Sequence, residues 1–146
     1  MKKLTLIIPA KNESESLPSV LDELKIYNLN INIILQESDI STIRSVENYP
    51  VNLIYQDNKG YGDALIKGIE TCTTDYFSIF NADGSFNPSE LKNMLFYIEK
   101  DNYDFVFGSR YQRNSGSEDD TIITLIGNHI FTWIGRFIFN LNISDI

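Results

Sequence analysis

The residues best suited to chemistry lie in Tyr76-Phe-Ser-Ile-Phe-Asn-Ala-Asp-Gly-Ser85. Tyr76, Phe77, Ile79 and Phe80 are aromatic or β-branched and read as a covered central strand. Asn81, Asp83, Gly84 and Ser85 then break the pattern and read as a loop. Ligands of open α/β sheets sit beyond the carboxyl ends of the strands. A carboxylate delivered there beside a glycine is placed to hold a divalent cation against a phosphate, and hard oxygen ligands suit Mg²⁺ or Mn²⁺. Asp83 equally suits a plain Asx turn, and nothing within this stretch decides between the two.

The elements that must position Asp83 follow from hydrophobic spacing. Leu4–Ile8, Ile31–Leu35, Val51–Tyr55, Tyr76–Phe80 and Asp104–Phe107 read as short strands. Between them lie helical patterns. Leu17, Val20, Leu21 and Leu24 mark one helical face, in a helix that starts near Ser14–Ser16 and tolerates Pro18 in its first turn. A short helix is expected over Ser41–Glu47. Another buries Leu65, Ile69 and Cys72, with Ala64 and Ile66 alongside, which makes Cys72 a small core residue. Asn87, Pro88 and Glu90 read as cap, first and third positions of a helix burying Leu91, Met94, Leu95 and Ile98. Ile122–Leu141 reads as a long, mostly apolar helix. This alternation predicts an α/β fold, a mostly parallel central sheet flanked by helices. It also gathers four polar loops, 9–16, 36–40, 56–62 and 81–87, on one edge, and that convergence points to a ligand site more strongly than any single motif.

Composition narrows the classes. The 146 residues suit one domain, and a hydrophobic share of 42% is ordinary for a globular chain. A formal net charge of −8 argues against a nucleic-acid partner. The single cysteine excludes an intrachain disulfide and a zinc cluster of cysteines, which fits a reducing, cytoplasmic setting. The basic start and the run Leu4–Ile8, stopped by Pro9, are too short for a signal peptide. No segment offers the roughly 18 uncharged apolar residues of a membrane span. The 122–141 helix nevertheless carries Phe131, Trp133, Ile134, Phe137, Ile138 and Phe139, more than one stripe. It is expected to bury a second face against a membrane surface, an oligomeric partner or further sequence.

Several familiar motifs are missing. Gly60-Tyr-Gly62 follows the third strand rather than the first, so it is a weak dinucleotide signal. No Walker-type phosphate loop or helical His/Glu zinc pattern occurs. His129, the only histidine, lies in an apolar helix and is a poor general base. Glu118-Asp-Asp120 reads as a solvated acidic loop.

Taken in order, Ile8-Pro-Ala-Lys-Asn-Glu13, Asn58-Lys-Gly-Tyr-Gly-Asp-Ala64 with Gly68, Asn81-Ala-Asp-Gly84 and Gly108-Ser-Arg-Tyr111 resemble family 2 glycosyltransferases, closest to the polyprenyl-phosphate (dolichol-phosphate) mannosyltransferase-like branch. The resemblance spans essentially the whole chain. It implies a GT-A fold, a UDP- or GDP-linked sugar donor, Mg²⁺ or Mn²⁺, and hexosyl transfer in glycan or cell-envelope synthesis. By position, Pro9, Ala10 and Glu13 would line the nucleoside pocket, with Gln36 and Glu37 where the family commonly has two acidic residues. Lys59 and Gly60 would approach the donor, beside Asn81 and Ala82. Asp83 matches the last aspartate of the Asp-x-Asp metal motif, whose first is here Asn81. Arg110 matches an arginine that faces the acceptor phosphate, and a lipid-phosphate acceptor would place the protein at the inner face of a membrane.

The expected reaction is inverting transfer, with a cation on Asp83 stabilising the departing diphosphate and Arg110 orienting an anionic acceptor. The family normally continues beyond the equivalent of Ile146, so 1–146 is expected to be one catalytic domain lacking its C-terminal part. The competing readings are a sugar-nucleotide binder without turnover, suggested by Asn81 and Gln36, and a nucleotidyltransferase. The latter is disfavoured because Pro9-Ala-Lys-Asn-Glu13 has no glycine.

Overall fold

The computed structural model describes residues 3–101, 103–108 and 122–141. Four strands form one parallel sheet: β1 (Leu4–Pro9), β2 (Asn30–Leu35), β3 (Asn52–Tyr55) and β4 (Tyr76–Ile79), in the order β3-β2-β1-β4. Between them run α1 (Leu17–Leu24), α2 (Ile40–Val46) and α3 (Tyr61–Glu70). The chain divides into two compact units, Met1–Pro88 and Ser89–Ile146, and the sheet lies in the first.

The strand order fixes where the helices go. From β1 to β3 the chain steps one way across the sheet, and then it returns past β1 to lay down β4. Right-handed crossovers put α1 and α2 on one face and α3, on the return path, on the other. Side chains alternate along each strand, so Leu6, Ile8, Ile33 and Leu35 face one way and Ile7 and Ile34 the other, all fully buried. Both faces of β1 and β2 are therefore covered, which is why these strands read as largely apolar runs, interrupted by Thr5 on β1 and by Asn32 on β2. The α1 stripe Leu17, Val20, Leu21 and Leu24 is buried as its spacing predicts.

The sequence pattern misplaces the buried face of α3. Ala64 and Gly68 are buried, while Ile66 and Ile69 are exposed. The cause is close approach: a Cβ on Gly68 would stand 2.4 Å from Ile7 Cγ2. Small residues let the helix backbone settle on Ile7 and Ile34, and the larger side chains point aside. Cys72 falls beyond the helix end, half-buried, with its Sγ 3.3 Å from Thr74 Oγ1. β4 is likewise not central among the described strands. It borders β1 alone, and Phe77 and Ile79 are partly exposed.

In the second unit, α4 (Glu90–Asp101) and α5 (Ile122–Ile138) are helical. α4 begins at Glu90, two residues after the start at Pro88 that the sequence suggests. Leu91 is buried, whereas Met94, Leu95 and Ile98 are half-buried. Asp104–Phe107 is not a strand, because no ladder among the described residues satisfies its backbone; Phe105 and Phe107 stack on each other at 6.2 Å and are largely exposed. On α5, Phe131, Trp133, Phe137 and Ile138 are exposed, with the Trp133 and Phe137 rings 4.8 Å apart. No described helix is long and apolar enough to cross a membrane.

Candidate functional site

Parallel pairing brings the carboxyl ends of all four strands to one edge, and the predicted loops 9–16, 36–40, 56–62 and 81–87 leave from it. The direction of winding reverses between β1 and β4, the switch point where open α/β sheets hold ligands. The loops after these two strands, carrying Pro9, Ala10 and Glu13 on one side and Asn81, Ala82 and Asp83 on the other, flank that point. The Phe80 amide, donating to the Ile7 carbonyl at 3.0 Å, holds them side by side.

Loop 9–16 is shaped by the start of α2. Asp39 caps this helix: its Oδ1 accepts from the Thr42 amide at 3.3 Å, and its Oδ2 accepts from the Asn12 amide at 2.7 Å. One helical turn on, the fully buried Thr42 Oγ1 accepts from the Glu13 amide at 3.0 Å. Two successive amides of the first loop are thus gripped by one turn of α2, and Asn12 takes a left-handed φ of 59° there. Burial pushes the Asp39 carboxyl up, but the Asn12 amide and the Thr42 and Ser41 hydroxyls outweigh it and hold it below the ordinary carboxylate value. Glu13 is half-buried, and its Oε2 accepts from Ser16 Oγ at 2.6 Å. Ala10 is buried, with its amide donating to the Ile34 carbonyl. Gln36 is half-buried and Glu37 exposed. Asp39 is the residue that sequence reasoning missed. Its cap position is legible from an Asp directly before Ile40-Ser-Thr42; its bond to Asn12 is not.

Loop 81–87 is built around Asp83. The Phe80 and Phe86 rings meet edge to face at 5.6 Å and close the loop, while Gly84, at φ 81°, turns it past Val20 of α1. Asn81 Nδ2 donates to Ser85 Oγ at 3.0 Å, and the Ser85 amide donates to Asp83 Oδ1 at 2.9 Å. The Ser85 hydroxyl also bonds Asp83 and is the main reason that its carboxyl lies below the usual range, against a smaller upward push from burial. Asp83 is therefore ionised at neutral pH and exposed. Asn81 supports the residue that holds it, and Ala82 is buried.

Loop 56–62 is held by its own side chains. Gln56 Nε2 donates to the carbonyls of Asn58 and Gly60, and Asp63 accepts from both nitrogens of Asn58. The Asn58 side-chain amide, then its backbone amide, keeps the Asp63 carboxyl below its ordinary value. Gly60 sits at φ 113°, ψ 159°, a region essentially restricted to glycine. Lys59 is exposed and makes no ion pair among the described residues. Arg110 lies outside the described residues.

Among the described residues no three His, Cys, Asp or Glu side chains cluster as a metal cage. The donor set at Asp83 instead fits an ion such as Mg²⁺, which is commonly bound through one or two carboxylates and completed by substrate phosphates and water.

The family model described as "Glycosyl transferase family 2" matches residues 5–145. An uncharacterized glycosyltransferase of Mycobacterium tuberculosis is 25% identical over 98% of this chain and 64% of its own length. A dolichol-phosphate mannosyltransferase of Pyrococcus furiosus is 29% identical over 80% of this chain and 36% of its own. A UDP-N-acetylglucosamine–dolichyl-phosphate N-acetylglucosaminyltransferase of Methanococcus voltae is 26% identical over 87% of this chain and 59% of its own. The chain thus spans less than two thirds of the length of these curated relatives.

Proposed function

Since this chain belongs to glycosyltransferase family 2, we propose that its rim binds a nucleoside-diphosphate sugar and supports inverting transfer of the sugar to a polyprenyl-phosphate acceptor. The observation that carries the reading is the ionised, exposed Asp83 beside the β1–β4 switch point, supported through Ser85 and Asn81. The names of the archaeal relatives supply the acceptor class.

On this reading the bond between the anomeric carbon and the diphosphate oxygen breaks, and an acceptor oxygen bonds the anomeric carbon from the opposite face. Asp83 would hold Mg²⁺ or Mn²⁺, which when bound offsets the charge left on the diphosphate. Pro9, Ala10, Glu13, Gln36 and Glu37 line the nucleoside side, with the first loop held in place by Asp39 and Thr42. Lys59 is free to meet a phosphate, and Gly60 lets the backbone pass close to it. A phosphate acceptor is already anionic, so no general base is required; Arg110 would orient it. The apolar surface of α5 suits a membrane interface or a second copy of the chain.

The test is a titration of UDP- and GDP-sugars with Mn²⁺ against wild type and Asp83→Ala, with transfer to a short polyprenyl phosphate. Cation-dependent donor binding that is lost in Asp83→Ala supports the assignment. Equal binding by both proteins refutes the role of Asp83. A second reading, a nucleotide-sugar binder without turnover, is favoured by the amide at Asn81. Binding without transfer by the full-length protein would select it.

A further inference from the structure

The loop between β3 and α3 holds itself in one shape, through side chains that the proposed glycosyl transfer leaves without a role. Its start is pinned to the sheet, where the Gln56 amide donates to the Leu35 carbonyl at 3.1 Å. From there the Gln56 side chain reaches forward, Nε2 donating to the Asn58 carbonyl at 2.6 Å and to the Gly60 carbonyl at 3.2 Å. Asp63, in the first turn of α3, reaches back from the far side. Its Oδ2 accepts from the Asn58 amide at 3.0 Å and its Oδ1 from Asn58 Nδ2 at 2.9 Å. Asp57 is tied as well, accepting from Lys67, one turn further along α3, at 2.8 Å.

Asn58 is thus held at its amide, its carbonyl and its side chain, by residues on both sides of it. Lys59 comes next, and it is the only cation between Gln56 and Asp63. It is exposed and makes no ion pair among the described residues. That is notable because Asp57 and Asp63 stand within four residues of it. A slack loop would let the lysine fold back onto one of them, since opposite charges a few ångströms apart attract even near a surface. Here both carboxylates are engaged elsewhere, Asp57 by Lys67 and Asp63 by Asn58. The frame keeps the loop's own acids off its lysine.

We infer that Asp63 and Gln56 are positioning residues, which clamp Asn58 so that the Lys59 ammonium is presented to a phosphate arriving at the rim. The inference rests on the proposed nucleoside-diphosphate reading and adds two residues to it. Preorganisation is what the clamp supplies. Ordering a side chain at the moment of binding weakens affinity by about two- to tenfold, and a loop already fixed escapes that loss. The carboxylate at position 63 matters because it accepts twice. An asparagine there accepts once and turns an N–H against a donor.

The experiment is a calorimetric titration of the whole protein with sodium pyrophosphate, UDP and GDP, each with Mn²⁺. The proteins compared are wild type, Asp63→Asn, Gln56→Met, Lys59→Ala, and each of the first two variants combined with Lys59→Ala. Lys59→Ala should weaken pyrophosphate binding at least about tenfold, the loss of one bond between charged groups. Asp63→Asn and Gln56→Met, which loosen the clamp from opposite sides, should each weaken it about two- to tenfold. With Lys59→Ala already in place, neither should weaken it further, because the clamp then has no lysine to present. A merely structural role would instead add its loss to that of Lys59→Ala, and that result overturns the inference. So does wild-type affinity in both clamp variants, or no binding of any of the three ligands by wild type. Pyrophosphate bound in the expected pattern, with neither UDP nor GDP bound, would overturn the nucleotide reading and leave the clamp standing.

Discussion

The grip of α2 on the first loop can be taken apart by substituting Asp39. Its two oxygens do separate work: Oδ1 caps the helix through Thr42, and Oδ2 ties Asn12 across 27 residues of sequence. Asp39→Ala removes both. A lost cap costs about 1 kcal/mol, and a bond to a charged group about 1.5–3 kcal/mol; because the Asn12 contact is exposed, its lower end applies. The sum is about 2.5 kcal/mol. Asp39→Ser keeps a hydroxyl able to cap but too short to reach Asn12, so it should lose only the larger part, about 1.5 kcal/mol. At about 4 °C per kcal/mol for a chain of this size, thermal unfolding should fall by about 10 °C for Asp39→Ala and about 6 °C for Asp39→Ser. Amide exchange assigns the loss: Asn12 should exchange faster in both variants, while Glu13, held by Thr42, stays protected in Asp39→Ser. Donor affinity should weaken with Asn12 protection. If Asp39→Ser matches wild type in unfolding temperature and in Asn12 exchange, the tie carries nothing and the reasoning fails.

Gly68→Ala drives a methyl to 2.4 Å from Ile7 Cγ2 and should cost about 1–3 kcal/mol. In denaturant melts Gly68→Ala with Ile7→Ala should be less destabilised than the sum of the singles, and simple additivity would contradict the packing. Gly60→Ala meets open space but a backbone geometry alanine avoids, so it should lose about 1–3 kcal/mol or weaken nucleotide binding by displacing the loop; an unchanged melt and unchanged binding would count against it. Asp39 and Asp83 have folded-state pKa values below their unfolded ones, so the stability they contribute is present above the unfolded value and is lost as pH falls through the folded one. Acid titration of Asp83→Asn should accordingly show a shallower loss than wild type, and parallel curves would contradict the assignment.

β1 and β2 were legible because burial on both faces writes a largely apolar run; β3 and β4, the outer and partly exposed strands among those described, were legible from their β-branched and aromatic residues, and all four fall within a residue or two of the expected bounds. The rim was legible for the same reason, since parallel strands must send their exits to one edge. What sequence did not carry was which side of α3 faces inward. Leucine and isoleucine spacing suggested one face, but contact distance rather than hydrophobicity chose Ala64 and Gly68. β4 looked central because its residues are apolar, yet strand order depends on crossovers that no local pattern records. The Asp39–Asn12 tie and the paired amides of Asn32 and Asn52 are long-range meetings of ordinary polar residues, and each partner alone reads as surface.

Asn81 shows how the rim accommodates charge. Glu13, Glu37, Asp39 and Asp83 lie on loops that share one edge, in a chain of net charge −8. A second carboxylate at position 81, two residues from Asp83, would place like charges together and push one of them toward protonation. An amide avoids that repulsion. It donates to Ser85, and Ser85 in turn holds Asp83 ionised, so the carboxylate that is kept is better organised than either member of a repelling pair. The same substitution removes one negative charge from any cation bound there. On the proposed reading, a larger share of the cation's ligands must then come from the diphosphate itself, and cation and donor should bind as a mutually dependent pair, each weak without the other.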